Sequence, residues 1–290
     1  MNKLAALPSL SALIASHQLA AKKSLGQHFL LDNTITDDVA RFAGKLDGHH
    51  IIEIGPGPGG LTRSLLNTNA KHVYVVEKDD RCIAIMKLMQ EAAPERLTIL
   101  HEDALSVDLL KEVPAPRRII ANLPYNVGTE MLLRWLDQIY THGQGAFESL
   151  TLMFQKEVAE RITATHGNKH YGRLSVICQW LCEVSYDMEL PPEAFTPPPK
   201  VSSAVVTLIP RAKPLVDVDK SALEKVMAAA FGQRRKMLRK SLKSLGCDVD
   251  ELLEKTAIDG TLRAEQVELE RLCELAKAYQ SPPINSGKPS

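Results

Sequence analysis

IIEIGPGPGG, residues 51–60, joins an apolar run to a turn with four glycines in six residues. The run at 51–54 is typical of a buried strand. The glycines allow the backbone to turn tightly into a helix and to approach a ligand within contact distance. An acid, Glu77, ends the next apolar run, where a carboxylate would accept hydrogen bonds from both hydroxyls of a ribose. The segment therefore predicts a nucleoside-containing ligand above the ends of the first two strands.

Short apolar runs alternate with helical stretches from residue 50 to about 155, which is the pattern of βαβ units. The strand candidates are 51–54, 73–76, 97–100, 119–121 and 150–154. Two further candidates, about 181–190 and 202–209, flank a proline-rich loop and are predicted to form a closing antiparallel pair. We therefore expect an α/β fold that is Rossmann-like, with a mostly parallel sheet and an antiparallel closing strand.

The pattern beyond Pro214 is wholly helical to about residue 279, which predicts a small all-α C-terminal domain. The expected organisation is an N-terminal arm at 1–21, either a short helix or loose, and an α/β domain at 22–212. A helical domain at 213–279 and a disordered tail at 280–290 follow. A helix near 33–44 is predicted to begin at a cap formed by Asp32 or Asn33.

The glycine turn alone leaves two interpretations open, because it also satisfies the GxGxxG pattern of dinucleotide sites. The next two strand ends favour a different ligand chemistry. Asp103 follows the third strand, where its carboxylate would accept a hydrogen bond from the amino group of an adenine. The fourth strand leads into Asn122-Leu123-Pro124-Tyr125, whose amide and carbonyl oxygens can accept from an amine and whose ring can stack on a flat base. A hydride-transfer enzyme has no use for this set, whereas a methyltransferase acting on an exocyclic amine does.

These motifs, in this order, resemble those of the S-adenosylmethionine-dependent ribosomal RNA small-subunit adenine dimethyltransferases, the KsgA type. The similarity extends from about Lys22 to about Leu245. Its motifs are LGQHFLLD (25–32), EIGPGPGGLT (53–62), VVEKD (75–79), EDAL (102–105), NLPYNV (122–127), FQKEVAERI (154–162), YGRLS (171–175), FTPPPKV (195–201) and FGQRRKMLRKSL (231–242). The resemblance implies a class I methyltransferase with S-adenosylmethionine as cofactor. It also implies N6,N6-dimethylation of two adjacent adenosines near the 3′ end of 16S ribosomal RNA, in ribosome biogenesis.

The resemblance also implies a set of site residues. The cofactor contacts are expected at His28, Leu30, Gly55, Gly57, Glu77, Asp103 and Asn122. One departure is that the family most often has Asn where this chain has His28, although both side chains can form hydrogen bonds. The expected catalytic residues are Asn122, Leu123, Pro124, Tyr125 and Phe195.

The chemistry of adenine N6 accounts for the catalytic set. Asn122 and a carbonyl near Pro124 would accept hydrogen bonds from the two N–H groups of this amine and so favour a more tetrahedral nitrogen. This chemistry requires no metal. Tyr125 would stack on the extruded base, and Phe195 would do so if its loop closes over the site. A loop anchor that packs beneath the prolines is an equal alternative for Phe195.

The segment FGQRRKMLRKSLKSL, residues 231–245, carries six basic side chains and no acid. Helical spacing places Phe231, Leu238, Leu242 and Leu245 on one apolar stripe of a predicted basic helix. Contact with RNA phosphates is the favoured interpretation, and a merely solvated face is the alternative. The expected RNA-binding residues are Lys22, Lys23, Arg234, Arg235, Lys236, Arg239 and Lys240.

Composition sets the remaining limits. The 290 residues are 44% hydrophobic and 24% charged, as in soluble globular proteins, and the net charge is zero. The five cysteines show no metal-ligand spacing, and Cys178 and Cys182 are expected in a helical core. No apolar run is long enough for a membrane span, and the first 20 residues lack the layout of a signal peptide. These features are those expected of a cytoplasmic protein. The resemblance implies that its partner is the small ribosomal subunit, and we expect a monomer.

Three alternatives remain open from the sequence. One is the related resistance-type methylase that acts on large-subunit RNA, against which the long basic C-terminal portion argues. Another is a ribosome-assembly or nucleic-acid-binding factor whose catalysis is dispensable. A nicotinamide-dependent oxidoreductase is the third and most distant.

Overall fold

The computed structural model describes residue 4, residues 6–19 and residues 27–280. The chain divides into two compact units. The first unit comprises residues up to 159 together with 183–212, and the second comprises 160–182 together with residues from 213 onward. This division groups 160–182 with the C-terminal helices, whereas the sequence pattern assigned them to the α/β domain. The predicted tail at 281–290 and the candidate residues Lys22 and Lys23 lie outside the described residues.

The first unit alternates strands and helices along most of its length. Its elements are α1 (Leu10–Ser16), β1 (Phe29–Leu30), α2 (Asn33–Phe42), β2 (His50–Ile54), α3 (Gly60–Leu66), β3 (His72–Glu77), α4 (Asp80–Ala92), β4 (Leu97–His101), α5 (Leu109–Glu112), β5 (Arg117–Asn122), α6 (Gly128–His142), β6 (Ser149–Gln155), β7 (Cys182–Leu190), β8 (Phe195–Thr196) and β9 (Ser203–Pro210). A further helix, α7 (Lys156–Thr163), contains the point in the chain where the two units divide.

A seven-stranded sheet with the order β4-β3-β2-β5-β6-β9-β7 organises the first unit. The pairs β2–β3, β3–β4, β2–β5 and β5–β6 are parallel, and β6–β9 is antiparallel. All seven strand candidates are therefore confirmed, and so is the antiparallel closing strand. The residues of β2 are all buried, as expected of a central strand that helices cover on both faces.

The order of the strands determines where a crevice opens at the edge of the sheet. The chain moves outward from β2 to β3 and β4, and then returns to the other side of β2 to form β5. The connections that follow β2 and β5 therefore diverge, and a crevice opens between them at the carboxyl ends of the strands. Both motifs that the sequence singled out, at 55–60 and 122–125, begin at this crevice.

The N-terminal residues that are described form a helix, one of the two possibilities that the sequence left open. The side chain of Ser9 accepts a hydrogen bond from Ala12 N and caps α1. Leu10 and Leu13 are buried in the core of the first unit. Arg63 in α3 donates from Nη2 to the Pro8 carbonyl at 2.6 Å, which ties this arm to the helix behind the glycine turn.

The elements that lie wholly within the described part of the second unit are helices and 3-10 turns joined by loops. Its elements are α8 (Arg173–Leu181), α9 (Lys220–Gly232), α10 (Leu238–Ser241), a 3-10 turn (Leu242–Leu245), α11 (Val249–Lys255), a second 3-10 turn (Ala264–Gln266) and α12 (Leu269–Gln280). Trp180 is fully buried, and its indole Nε1 donates to the Val216 carbonyl at 2.8 Å. Cys178 and Cys182 are both buried, as predicted, but only Cys178 lies in a helix, because Cys182 is the first residue of β7. Among the helices of the described residues, none combines the length and the apolar character that crossing a bilayer would require.

The predicted continuous helix over 231–245 is wrong. Helix α9 ends at Gly232, and the chain is not helical again before Leu238. Leu238 N and Arg239 N donate to the carbonyls of Leu262 and Gly260, so the loop at 258–262 replaces the preceding helical turn as their partner. The apolar spacing nevertheless identified core residues, because Phe231, Leu238 and Leu242 are buried.

Gly60, the first residue of α3, provides a test of the packing at the glycine turn. A Cβ atom there would meet the Leu30 carbonyl oxygen at 2.4 Å, which is backbone that cannot rotate away. We expect Gly60→Ala to lower the free energy of unfolding by about 2 kcal/mol, as overpacking does. Urea denaturation followed by circular dichroism measures this change.

Gly145→Ala is the matched control, since a Cβ atom at Gly145 would meet nothing within 4 Å. Equal denaturation midpoints for the two variants would contradict the packing argument.

Candidate active site

Two adjoining clefts lie at the carboxyl ends of the parallel strands. The first is lined by Gln27, His28, Phe29, Leu30, Glu53, Gly55, Pro56, Gly57, Pro58, Gly60, Leu61, Glu77, Lys78, Asn122, Leu123, Pro124 and Tyr125. The second is lined by Ile54, Gly55, Val76, Glu77, Lys78, Glu102, Asp103, Ala104, Leu105, Pro124, Asn126, Val127 and Met131. The two clefts share Gly55, Glu77, Lys78 and Pro124. Every cofactor and catalytic residue that the sequence predicted lines one or both clefts, with the exception of Phe195.

The glycine turn forms the floor between β2 and α3. Gly55, Gly57 and Gly59 have φ angles of +65°, +55° and +89°, in the left-handed region that favours glycine. A Cβ atom at Gly57 would meet the Phe29 ring at 3.0 Å. The turn therefore exposes backbone to the cleft where any side chain would fill the space.

Glu77 ends β3 and is 7% exposed. Its Oε1 accepts hydrogen bonds from the amides of Lys78 and Asp79, both at 2.8 Å. Burial raises the pKa of this carboxyl group, while those amides act in the opposite direction. With one oxygen held by the backbone, the carboxylate has a fixed orientation at the junction of the two clefts, as a ligand for vicinal hydroxyls requires.

Asp103 lies at the outer end of the second cleft and is only partly buried. Its Oδ1 accepts from Leu105 N at 2.9 Å, and its Oδ2 is 3.0 Å from the Lys78 ammonium. The Leu105 amide and Lys78 hold the pKa of Asp103 below its usual range. The group is therefore a carboxylate at neutral pH, and a carboxylate accepts hydrogen bonds without donating them.

Glu53 is a site residue that the sequence interpretation missed. It is the penultimate residue of β2, lines the first cleft and is 2% exposed. Thr62 donates to its Oε2 at 2.6 Å. Burial raises the pKa of Glu53 to about 8, and the charge of Glu77 acts in the same direction. An acid inside an otherwise apolar strand was the available signal.

Asn122, the last residue of β5, has an amide whose orientation is determined by its partner. Its Nδ2 donates to the backbone carbonyl of His28 at 3.1 Å. Because a carbonyl can only accept, the nitrogen of the amide is committed to this contact. The Oδ1 atom is therefore the part of Asn122 that remains to accept a hydrogen bond from a ligand.

Tyr125 is held at both its ring and its hydroxyl group. The ring stacks against the His28 imidazole, with 5.2 Å between centroids and 28° between planes. The hydroxyl is hydrogen-bonded to Ser203 Oγ, at the start of β9. Burial raises the pKa of this phenol. Leu123, which is 2% exposed, and Pro124 connect Tyr125 to the end of the strand.

Phe195 does not line either cleft, contrary to its predicted role as a stacking residue. It is 2% exposed and belongs to the core of the first unit. Its backbone lies in β8, which pairs antiparallel with β1 so that Phe195 is opposite Leu30. The alternative of a loop anchor is the one that the structure supports, because the ring fixes the start of the proline-rich loop from below.

The basic residues of the second unit fall into two groups. Arg234 donates to the carbonyls of Lys169 and Tyr171 and forms an ion pair with Glu265 at 3.1 Å. Arg239 is paired with Asp250 at 2.8 Å. Both arginines therefore have partners within the unit, although the Arg239 pair is largely exposed, and their predicted contact with RNA phosphates stays a prediction. Arg235, Lys236 and Lys240 are exposed, and no ion pair joins them to the other described residues.

The raised pKa of Glu53 predicts a specific pH dependence. A carboxyl group whose pKa rises from 4.5 to about 8 on folding stabilises the protein below pH 4.5, and this contribution is lost as the pH rises toward 8. We expect Glu53→Gln, which retains an acceptor for Thr62, to remove that loss. Its melting temperature relative to the unchanged protein should therefore increase between pH 5 and pH 8.

Thermal unfolding of both proteins across this pH range measures the difference. A difference in melting temperature between the two proteins that stays the same at every pH would show that Glu53 does not titrate in this way.

Comparison with known proteins identifies the family. The model of the family Ribosomal RNA adenine dimethylase matches residues 18–281. A Ribosomal RNA small subunit methyltransferase A from Paramagnetospirillum magneticum is 54% identical, and the match covers 96% of this chain and 97% of the relative. A protein of the same name from Paracoccus denitrificans is 51% identical, with 98% and 100% covered.

Solved structures give the same fold. A dimethyladenosine transferase from Plasmodium falciparum has a TM-score of 0.74 at 25% identity, with 86% of this chain and 96% of that chain covered. The 23S rRNA methyltransferase ErmE has a TM-score of 0.65 at 24% identity, with 87% and 100% covered, which supports the fold alone. With a family match over most of its length, close full-length relatives and a glycine-lined cleft beside Asn122–Tyr125, this chain belongs to the ribosomal RNA adenine dimethylase family.

Proposed function

We propose that this protein transfers methyl groups from S-adenosylmethionine to N6 of two adjacent adenosines near the 3′ end of 16S ribosomal RNA. The observation that carries this proposal is the position of Asn122. Its amide is oriented by the His28 carbonyl so that Oδ1 is the acceptor, and it lies at the strand end beside the glycine-lined cleft. The close relatives, matched along almost their whole length, are named for methylation of small-subunit ribosomal RNA.

The residues of the two clefts fit S-adenosylmethionine. Glu77 would accept hydrogen bonds from the ribose hydroxyls, and Asp103 would accept one from the adenine amino group in the second cleft. Backbone at Gly55, Gly57 and His28 would border the ligand, together with Leu30 and Asn122 along the first cleft. When bound, this cofactor supplies an activated methyl group on a sulfonium sulfur.

The other groups that the reaction needs are supplied by the protein itself. Adenine N6 is a weak nucleophile because its lone pair is delocalised into the ring. Asn122 Oδ1 and a carbonyl near Pro124 would accept hydrogen bonds from the two N–H groups of N6. These contacts would leave the nitrogen lone pair free for in-line attack on the methyl carbon. Stacking on Tyr125 would offset the cost of extruding the base by about 1–3 kcal/mol.

Binding of ribosomal RNA would use the exposed cations of the second unit. Arg235, Lys236 and Lys240 are the candidates among the described residues, since Arg234 and Arg239 have partners within the unit. Phosphate contacts of this kind position an RNA without reading its sequence. We propose a monomer that acts in the cytoplasm during assembly of the small ribosomal subunit.

Two of the alternatives receive less support. The 23S rRNA methyltransferase ErmE shares the fold at 24% identity, well below the identity of the small-subunit relatives. A purely structural assembly factor would have no use for an oriented amide beside a cleft that fits the cofactor.

The proposed reaction is tested with labelled S-adenosylmethionine and, as separate substrates, unmethylated small subunits, large subunits and naked RNA. We expect dimethyladenosine, identified by mass spectrometry, with small subunits only. Asn122→Ala should lower the rate at least about 100-fold, because it removes a preorganised acceptor, while the fold measured by circular dichroism stays unchanged.

Label in large-subunit RNA would instead support the resistance-type activity. Cofactor binding without transfer to any substrate would leave a role in assembly. Full activity of Asn122→Ala would contradict the catalytic assignment of this residue.

The proposed RNA surface is tested by reversing charge at Arg235 and Lys236. Loss of two phosphate contacts should weaken binding to small subunits and reduce the slope of log K against log salt by about 1–2. The matched control reverses Lys213 and Lys225, which are also exposed cations of the second unit and likewise form no ion pair with other described residues. Filter binding at several salt concentrations measures both slopes, and equal slopes for the two double variants would contradict the assignment.

A further inference from the structure

His28 connects three segments that are far apart in the sequence. Its backbone carbonyl accepts from Asn122 Nδ2, which is 94 residues away. Its imidazole Nδ1 is 2.8 Å from the carbonyl oxygen of Pro197, 169 residues away. Since a carbonyl can only accept, Nδ1 carries the hydrogen of this bond. The ring of the same residue stacks on Tyr125.

Neither partner of the His28 side chain, Tyr125 or Pro197, is among the predicted cofactor residues. Tyr125 is the proposed stacking residue for the target base, and Pro197 lies in the loop that follows Phe195 and Thr196. The imidazole therefore has one nitrogen committed to the proline-rich loop and one face committed to Tyr125. Only Nε2 remains available for a hydrogen bond to the cofactor, so most contacts of this side chain are with Tyr125 and the proline-rich loop.

We propose that His28 is a positioning residue for the target adenine, and that its side chain serves the methyl acceptor rather than S-adenosylmethionine. The imidazole covers one face of Tyr125, so the adenine stacks on the opposite face of that ring. The hydroxyl bond to Ser203 fixes the far end of the phenol, and the stack with His28 fixes the tilt of its plane. The Nδ1–H bond to Pro197 holds the loop at 195–200 beside the site. This inference rests on the proposed function.

Substitutions at His28 can separate the contribution of its aromatic ring from that of its Nδ1–H donor. His28→Phe keeps an aromatic face for Tyr125 and loses the N–H bond to Pro197. His28→Asn keeps an N–H donor and loses the ring. His28→Ala loses both. All three leave the backbone carbonyl that holds the Asn122 amide.

The experiment measures kcat/KM with unmethylated small subunits and, separately, the Kd for S-adenosylmethionine by calorimetry on the full chain. We expect His28→Ala to lower kcat/KM by about fivefold to tenfold, the range of an aromatic pair, with the Kd for the cofactor unchanged within about twofold. His28→Phe should recover most of the loss, and His28→Asn should recover less. Melting temperatures identify any variant that fails to fold, and His28→Asn then replaces His28→Ala in the comparison.

Each result has a defined meaning. A parallel loss of cofactor affinity and kcat/KM in His28→Ala would overturn the inference and make His28 a cofactor ligand. Equal kcat/KM for all three variants and the unchanged protein would also overturn it, since the ring would then only pack. Absence of transfer by the unchanged protein would instead contradict the proposed function, whatever the variants do.

Discussion

The glycine turn imposes the tightest constraint in the first unit, because its backbone passes closer to its neighbours than a side chain permits. Gly60 lies beneath the Leu30 carbonyl, and Gly59 lies against the side chains of Met86 and Met89. The first contact packs β1 directly against the start of α3, and the second involves the flexible ends of two methionines of α4. The segment packed against Gly60 continues from His28, whose carbonyl accepts from the Asn122 amide.

Three acids at neighbouring strand ends have three different environments. Glu53 is buried beneath the cleft with one hydroxyl donor, and burial raises its pKa to about 8. Glu77 is buried as well but is held by two backbone amides. Asp103 is partly exposed beside Lys78, and its pKa is lowered. Burial therefore favours the protonated form most at Glu53, whereas Lys78 and the Leu105 amide favour the carboxylate at Asp103.

Much of the fold followed from periodicity and from a few glycines. All seven strands of the main sheet were predicted, since short apolar runs bounded by turn residues are typical of buried strands. The break of the basic segment at Gly232 was not predicted, because it depends on Leu262 and Gly260, which come later in the chain. The sequence shows the six basic side chains of 231–245 directly. It does not show that Arg234 and Arg239 pair with Glu265 and Asp250, which come later in the chain.

Residues of the candidate site divide in the same way. Gly55, Glu77 and Asp103 lie at the cleft because their motifs follow strands, and strand ends meet at one edge of the sheet. Phe195 was misplaced since its burial arises from the pairing of β8 with β1, more than 160 residues apart. Local sequence does not encode that pairing.

The second unit is assembled from two separate pieces of chain, and this affects the order in which the protein can fold during synthesis. Every strand of the main sheet has been made once residue 210 has been added. Helix α8 precedes two of those strands, yet Trp180 finds its carbonyl partner at Val216, and the remaining helices follow residue 219. A nascent chain that has just completed its catalytic sheet therefore still carries an apolar helix without its neighbours. Such a chain depends on prompt elongation, or on a chaperone, to keep that helix from aggregating.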